Sequence, residues 1–253
     1  MRICSLASGS RGNSLFVESE NARILVDAGL SALQIKTRLQ SINIDPITIN
    51  AIVITHAHRD HVSGADVFSH QFQVPIYGHP DTLDTLTYMF NRNQKIIPWT
   101  GEFTIEDMII SPFRVSHDAF PTIGYRISAR EKTMAVCTDL GVVTEEVEQN
   151  LKQAQFLVIE SNHDPDMLMK GPYPWELKER IASRVGHLSN HDTGVLLKNI
   201  LNGRMHKILL AHLSEENNLP DLAKNTIIDY IGSQHESLID IIEQRKVSTL
   251  HEF

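Results

Sequence analysis

The stretch Thr55-His56-Ala57-His58-Arg59-Asp60-His61 constrains this chain more than any other. Four potential metal ligands, His56, His58, Asp60 and His61, fall within six residues, directly after the apolar run Ala51-Ile52-Val53-Ile54. Read as a strand, that run delivers the ligands to a loop at a strand end, where binding and catalytic groups are usually built. His56 and His58, two apart, can share one ion, while Asp60 and His61 turn toward a second. Imidazole and carboxylate together suit borderline divalent ions such as Zn or Mn. A catalytic site needs only about three protein ligands, so this density points to two ions. A solvated histidine-rich loop would have no reason to follow a buried strand in this pattern.

Further ligand types close other β-prone runs. Ser116-His117-Asp118 follows residues 109–115, Thr138-Asp139-Leu140-Gly141 follows residues 134–137, and Ala211-His212-Leu213-Ser214 follows residues 207–210. Each repeats one arrangement: a short apolar run, a ligand, then a small or turn-forming residue. An Asp or His closing a single strand is ordinary. The same arrangement at several strand ends, with ligands of compatible type, is not.

Together these motifs resemble the metallo-β-lactamase superfamily of metallo-hydrolases. Thr55 through His61 matches its HxHxDH motif without a gap, and His117, Asp139 and His212 fall in order at the later metal-binding motifs. Leu6-Ala7-Ser8-Gly9-Ser10-Arg11-Gly12-Asn13-Ser14, Leu25-Val26-Asp27-Ala28-Gly29-Leu30-Ser31 and Gly186-His187-Leu188-Ser189-Asn190 are similar to the WalJ/YycJ-like branch. The resemblance covers essentially the whole chain. It implies one α/β domain over residues 1–253, a four-layer αβ/βα sandwich. It also implies that His56, His58 and His117 surround a first ion and Asp60, His61 and His212 a second, with Asp139 bridging them.

Two divalent ions about 3.5–4 Å apart can share a water, lower its pKa toward neutrality and stabilise charge on substrate oxygens. The metal-bridging hydroxide is then the expected nucleophile, with Asp60 placed to orient it. The run Gln155-Phe156-Leu157-Val158-Ile159 reads as another buried strand, ending in Glu160-Ser161-Asn162-His163-Asp164. With Gly186-His187-Leu188 it looks like the Glu and His motifs of the phosphodiesterase members, tRNA-maturation nucleases included. That resemblance implies His187 at the leaving group and Glu160 orienting it, a contribution of about 10²–10⁴-fold. The alternative makes His187 a helix-start residue ahead of a Ser189 or Asn190 cap. His163 is a further candidate for the catalytic role, with a place behind a ligand as its alternative.

For substrate contacts, the loop at residues 8–14 offers backbone N–H groups and hydroxyls suited to phosphate, so Ser8, Ser10 and Asn13 are candidates. Arg180 and Arg184 are four apart on a predicted helix and can face the same way; Arg184 is the candidate contact, against a merely solvated face. The segment at 164–175, rich in Pro, Met and aromatics, is either a substrate rim or a cap over the core.

The net charge of −8 disfavours broad, sequence-independent affinity for nucleic acid, although bound ions offset part of it locally. Cys4 and Cys137 are the sole cysteines, so no disulfide framework is expected. The opening residues run straight into a strand, leaving no space for a signal peptide, and the apolar runs are too short to span a membrane. A cytoplasmic protein with no membrane partner is expected. Helices are predicted at 31–41, 62–70, 81–90, 144–153, 175–183, 192–201 and 219–230. Strands beyond those already named are predicted at 74–77, 103–111, 123–128, 133–138 and 237–242.

The expected function is hydrolysis of phosphodiesters with two divalent ions, Zn or Mn. The resemblance points to DNA as substrate and to removal of nucleotides from a 5′ end. A small cyclic or linear phosphodiester is the alternative that the acidic charge suits better. Thioester, lactone or β-lactam hydrolysis is a third, against which Glu160 and His187 argue because such leaving groups need less protonation. A non-catalytic regulatory partner in cell-wall signalling is the last, and the intact ligand set argues against it.

Overall fold

The structure, a computed structural model, describes residues 1–90 and 94–253. The chain builds one sheet, then a second, and returns to the first. Strands β1 (Arg2–Ala7), β2 (Ser14–Glu18), β3 (Arg23–Val26), β4 (Ala51–Val53), β5 (Ile76–Gly78) and β6 (Ile96–Pro98) lie in sequence order across the first sheet. Strands β7 (Phe103–Ile105), β8 (Met108–Val115), β9 (Thr122–Ala129), β10 (Lys132–Cys137), β11 (Phe156–Glu160), β12 (Lys207–Ala211) and β13 (Ile239–Ile241) do the same in the second. The C-terminal β14 (His251–Glu252) pairs with β1 at the first sheet's edge. Each sheet has seven strands.

Both sheets begin with antiparallel hairpins and continue parallel: β3–β4–β5–β6 in the first, β10–β11–β12–β13 in the second. Parallel strands need crossovers, and helices supply them on the outer faces. Side chains alternate accordingly. Ile24 and Val26 of β3 point between the sheets, with Tyr125, Met134 and Val158 from the other side. Leu25 points outward to Ile35 and Leu39 of the Ala32–Ser41 helix. On the far side, Ala135, Leu157 and Leu210 meet Val147, Leu197 and Ile227 from three helices. Strands buried on both faces explain the near-continuous apolar runs in the sequence. The result is the expected four-layer αβ/βα sandwich. Among the described residues, no helix is long and apolar enough to cross a membrane.

Local signals fix several helix starts. Ser31 accepts from the Gln34 N–H while the Gln34 side chain returns to Ser31, a capping box; replacing such a cap by Ala costs about 1 kcal/mol. Asp164 caps a helix at Pro165–Lys170, inside the segment expected to be loop; Pro at the first helical position favours it. Other boundaries also differ. The 103–111 strand is a hairpin, turned at Glu106 with positive φ. The 81–90 helix ends at Thr85, and the 62–70 helix divides at Gly64 into Arg59–Val62 and Ala65–Phe72. The first two residues of the 237–242 strand belong to a 3-10 helix, Ser233–Leu238. Strands β6 and β14, too short to show a periodic pattern, went unread.

Candidate metal centre

Every expected ligand lies at the same edge of the two sheets, and the topology explains why. Strands β10, β11 and β12 are parallel and in register, Cys137 beside Ile159 and Glu160 beside Ala211. Their exits therefore line up, bringing Asp139, Glu160 and His212 into one row. Strand β8 runs the same way as β10, since each is antiparallel to β9, and adds His117. The first sheet contributes Asp27 after β3 and the run from Thr55 to His61 after β4. Asp27, Asp139 and His212 all take left-handed backbone, at φ 63°, 58° and 56°. Such a turn is uncommon for a residue with a side chain but tolerated best by Asn, Asp and His. Here it folds the chain back immediately past each strand. Gly29 permits the tight packing beneath: a Cβ there would lie 1.6 Å from the Asp60 carbonyl oxygen.

The ligand atoms converge. His61 Nε2 lies 3.2 Å from Asp139 Oδ2 and 3.6 Å from Asp60 Oδ2. His212 Nε2 lies 3.6 Å from Asp139 Oδ1 and 3.9 Å from Asp60 Oδ2. On the other side, His56, His58 and His117 form a compact triplet, and His117 Nε2 is 3.8 Å from Asp139 Oδ1. Asp139 thus stands between the groups. Atoms bound to one ion at about 2.0–2.2 Å sit roughly 3–4 Å apart, which is the spacing found.

A second observation tests the fit. His56 Nε2, His117 Nε2, His212 Nε2 and Asp139 Oδ2 are buried and have no hydrogen-bond partner. Buried polar atoms are normally satisfied, and these face one another. Their rings are pinned from behind. The Nδ1–H of His61 donates to Asp27 (2.7 Å), that of His212 to Glu160 (2.8 Å) and that of His117 to the Gly186 carbonyl (3.1 Å). The Thr55 hydroxyl donates to Asp27 at 2.8 Å, leaving its oxygen to accept from His56 Nδ1 at 3.0 Å. With Nδ1 committed, Nε2 of His56, His117 and His212 is the nitrogen left to bind a metal ion, while His61 Nε2 also meets the Asn13 amide at 2.9 Å. The residues fit divalent metal ions.

Charge points the same way. Burial alone would lower the pKa of His212, yet the Asp139 charge, the nearby Asp60 carboxylate and the hydrogen bond to Glu160 push it up to about 10. His61 is likewise raised well above 6.5, against burial, by Asp27 and Asp139. Asp139 is held well below the carboxylate range, the neighbouring His212 and His61 outweighing its burial. The cluster demands positive charge, which metal ions supply in place of protons.

Glu160 joins two histidines. One oxygen accepts from His187 Nδ1 and from His212 Nδ1, both at 2.8 Å, and the other from the N–H groups of Leu140 and Leu188. Burial would raise its pKa, but the His187 charge and hydrogen bond, followed by those of His212, bring it to about 2. With Nδ1 committed, His187 presents Nε2 to the cleft it lines.

Of the expected substrate contacts, only Ser10 lines the cleft. Ser8 accepts from the His212 N–H at 2.9 Å, and Asn13 reaches His61 Nε2 at 2.9 Å and Asp60 Oδ2 at 3.3 Å. Both are buried and position ligands. Arg184 lies past the end of the Trp175–Ile181 helix, exposed and away from the cleft, because the helix stops before it completes the turn that would align it with Arg180. Arg180 does line the cleft, as does Tyr173 from the 164–175 segment. His163 is buried, its Nδ1 3.4 Å from Asn162 Oδ1. Three supporting residues lie outside the expected site set: Asp27, Thr55 and Asn162, which donates to the His212 carbonyl at 2.8 Å. Asp27 follows an apolar strand as Asp139 does, so the strand-end pattern applied to Leu25-Val26-Asp27 would have found it.

Comparison with known proteins supports the same placement. Residues 22–209 match the beta-lactamase superfamily domain. The chain is 38% identical over 233 residues to exodeoxyribonuclease WalJ of Streptococcus pneumoniae serotype 2 (strain D39), covering 90% of this chain and 87% of that one. It is 34% identical over 226 residues to exodeoxyribonuclease YycJ of Bacillus anthracis, covering 88% and 86%. The crystal structure of the metallo-beta-lactamase fold protein YhfI from Bacillus subtilis superposes with a TM-score of 0.75 at 17% identity over 98% of each chain. Matched in sequence over most of its length and in fold throughout, this chain belongs to the metallo-β-lactamase superfamily and, within it, to the WalJ/YycJ family.

Proposed function

We propose that the protein is a cytoplasmic, metal-dependent DNA nuclease that removes nucleotides from a 5′ end. The observation that carries hydrolysis is the set of buried, unpartnered Nε2 and carboxylate atoms converging on one cleft. The relatives named exodeoxyribonuclease direct it to DNA. His56, His58 and His117 would hold one divalent ion, Asp60, His61 and His212 a second, and Asp139 would bridge them. Bound there, Zn or Mn would supply an activated water and Lewis-acid stabilisation of the phosphate oxygens. Asp60, at the cleft, orients the nucleophile. His187 donates a proton to the departing oxygen, held in tautomer and direction by Glu160 at 2.8 Å. A poor leaving group such as a deoxyribose alkoxide needs that proton, and this favours phosphodiesters over thioesters or lactams.

The net charge of −8 favours a second reading, a small phosphodiester substrate. One experiment separates the two. Protein reconstituted with Mn or Zn is given 5′- and 3′-labelled single- and double-stranded DNA alongside bis-nitrophenyl phosphate. Stepwise release from one end is expected. Turnover of the small diester with DNA left intact would overturn the nuclease reading.

A further inference from the structure

Of the candidate phosphate contacts only the neutral Ser10 lines the cleft. Ser8 and Asn13 are occupied inside the protein, and Arg184 lies outside the cleft. Among the described residues, Arg180 is the one lysine or arginine that lines the cleft. Leu177, Arg180 and Ile181 recur three and four residues apart on the Trp175–Ile181 helix, so they share a face, and Tyr173, just before it, lines the same wall.

Arg180 is aimed. Its Nε and one terminal nitrogen bond Asp118 Oδ2 at 2.7 and 2.5 Å. The other Asp118 oxygen lies 3.4 Å from His58 Nε2 and 3.3 Å from His117 Nε2. The guanidinium therefore stands one carboxylate's width from the histidine triplet. Its side chain keeps 57% of its surface exposed, and Asp118 uses only part of its five donors. A planar fork with free N–H groups beside a cation site is the arrangement that recognises phosphate oxygens.

We propose that this wall is a nucleotide subsite: Arg180, held by Asp118, grips a substrate phosphate, while Tyr173 and Leu177 receive the sugar or base. The proposal rests on the nuclease reading for its substrate, but its phosphate contact can be read without DNA turnover. Asp118 is a positioning residue here, setting the angle of the guanidinium.

The test uses the metal-loaded full chain, wild type against Arg180→Met, Arg180→Lys, Asp118→Asn and Tyr173→Ala. Inorganic phosphate is titrated by calorimetry, bound metal is measured directly, and DNA hydrolysis is followed across a salt series. Arg180→Met is expected to keep its metal, to bind phosphate about tenfold more weakly and to raise KM for DNA more than it lowers kcat. Its dependence of log affinity on log salt should become shallower by about one. Arg180→Lys should recover part of the phosphate affinity, and Tyr173→Ala should raise KM for DNA while leaving phosphate affinity unchanged. Asp118→Asn should weaken phosphate binding less than Arg180→Met does. Wild-type phosphate affinity and salt slope in Arg180→Met would overturn the subsite, as would loss of bound metal from that variant. If wild type leaves DNA intact while Arg180→Met still loses phosphate, the nuclease reading falls and the phosphate contact stands.

Discussion

The two histidine groups of the centre have similar ligands but different support. Behind His56 and His117 stand neutral acceptors, the Thr55 hydroxyl and the Gly186 carbonyl. Behind His61 and His212 stand the buried carboxylates of Asp27 and Glu160. The consequence is visible in basicity. Burial, reinforced by the charge of His61, drives His56 well below 6.5, and burial with the charge of His117 lowers His58. Their counterparts His61 and His212 are raised despite complete burial. A carboxylate behind an imidazole makes it a stronger donor. The two proposed metal positions are therefore expected to be unequal, with tighter binding predicted for the one built on Asp60, His61 and His212.

The largest effect should come from the residue that spans this difference. Asp139→Ala is expected to abolish activity and to reduce bound metal to one ion or fewer, as measured by elemental analysis. Full metal content with turnover would remove Asp139 from between the groups. His187→Ala should separate proton delivery from metal binding. It should keep its metal and lose about 10²–10⁴-fold in rate on nucleotide esters, with a smaller loss on nitrophenyl esters. Equal losses on both would remove His187 as the proton donor.

A smaller change probes the inequality itself. Asp27→Asn keeps the shape behind His61 but removes the charge, and the affinity for one ion should fall 10–100-fold while the other is unchanged. Competition with a chelator, followed as two release steps, would read this. Equal weakening of both steps would show that support from behind does not distinguish the positions.

How much of this was legible beforehand follows the same division. The Thr55–His61 ligands lie in one unbroken run, and a run can be read. Asp139, His117 and His212 stand singly, but each follows an apolar strand, so the strand-end pattern located them. The residues behind them were harder. Thr55 and Asn162 do their work through hydrogen bonds to partners fixed only by sheet register, and no spacing in the chain announces that. Asn13 lay in a glycine- and serine-rich loop whose composition suggests phosphate; its amide instead reaches a histidine 48 residues on. The layers were readable because their strands are apolar on both faces. The edges β6 and β14 were not, since two or three residues carry no period. Arg184 was misplaced by a few residues of helix end, the least certain feature of any periodic pattern.

The smallest effect concerns a pair of neighbouring histidines that repeat the comparison on one loop cluster. His212 has a carboxylate partner and a pKa of about 10. His163 has the Asn162 amide, and burial, only partly countered by the more distant Glu160, lowers it to about 4. The two should act on stability with opposite sign. Native His163 is neutral above about pH 4, whereas the unfolded chain protonates it below about 6.5. Through that window the unfolded state holds more protons, so stability contributed by His163 is lost as pH falls, by roughly 3 kcal/mol. His212 contributes stability that is present below 6.5 and lost as pH rises toward 10. Urea unfolding of the chelated protein at pH 7 and pH 4, wild type against His163→Gln, isolates the first term. The variant should lose less stability than wild type between the two. Identical pH dependence would mean that His163 titrates alike in the folded and unfolded chain, its burial offset by its surroundings.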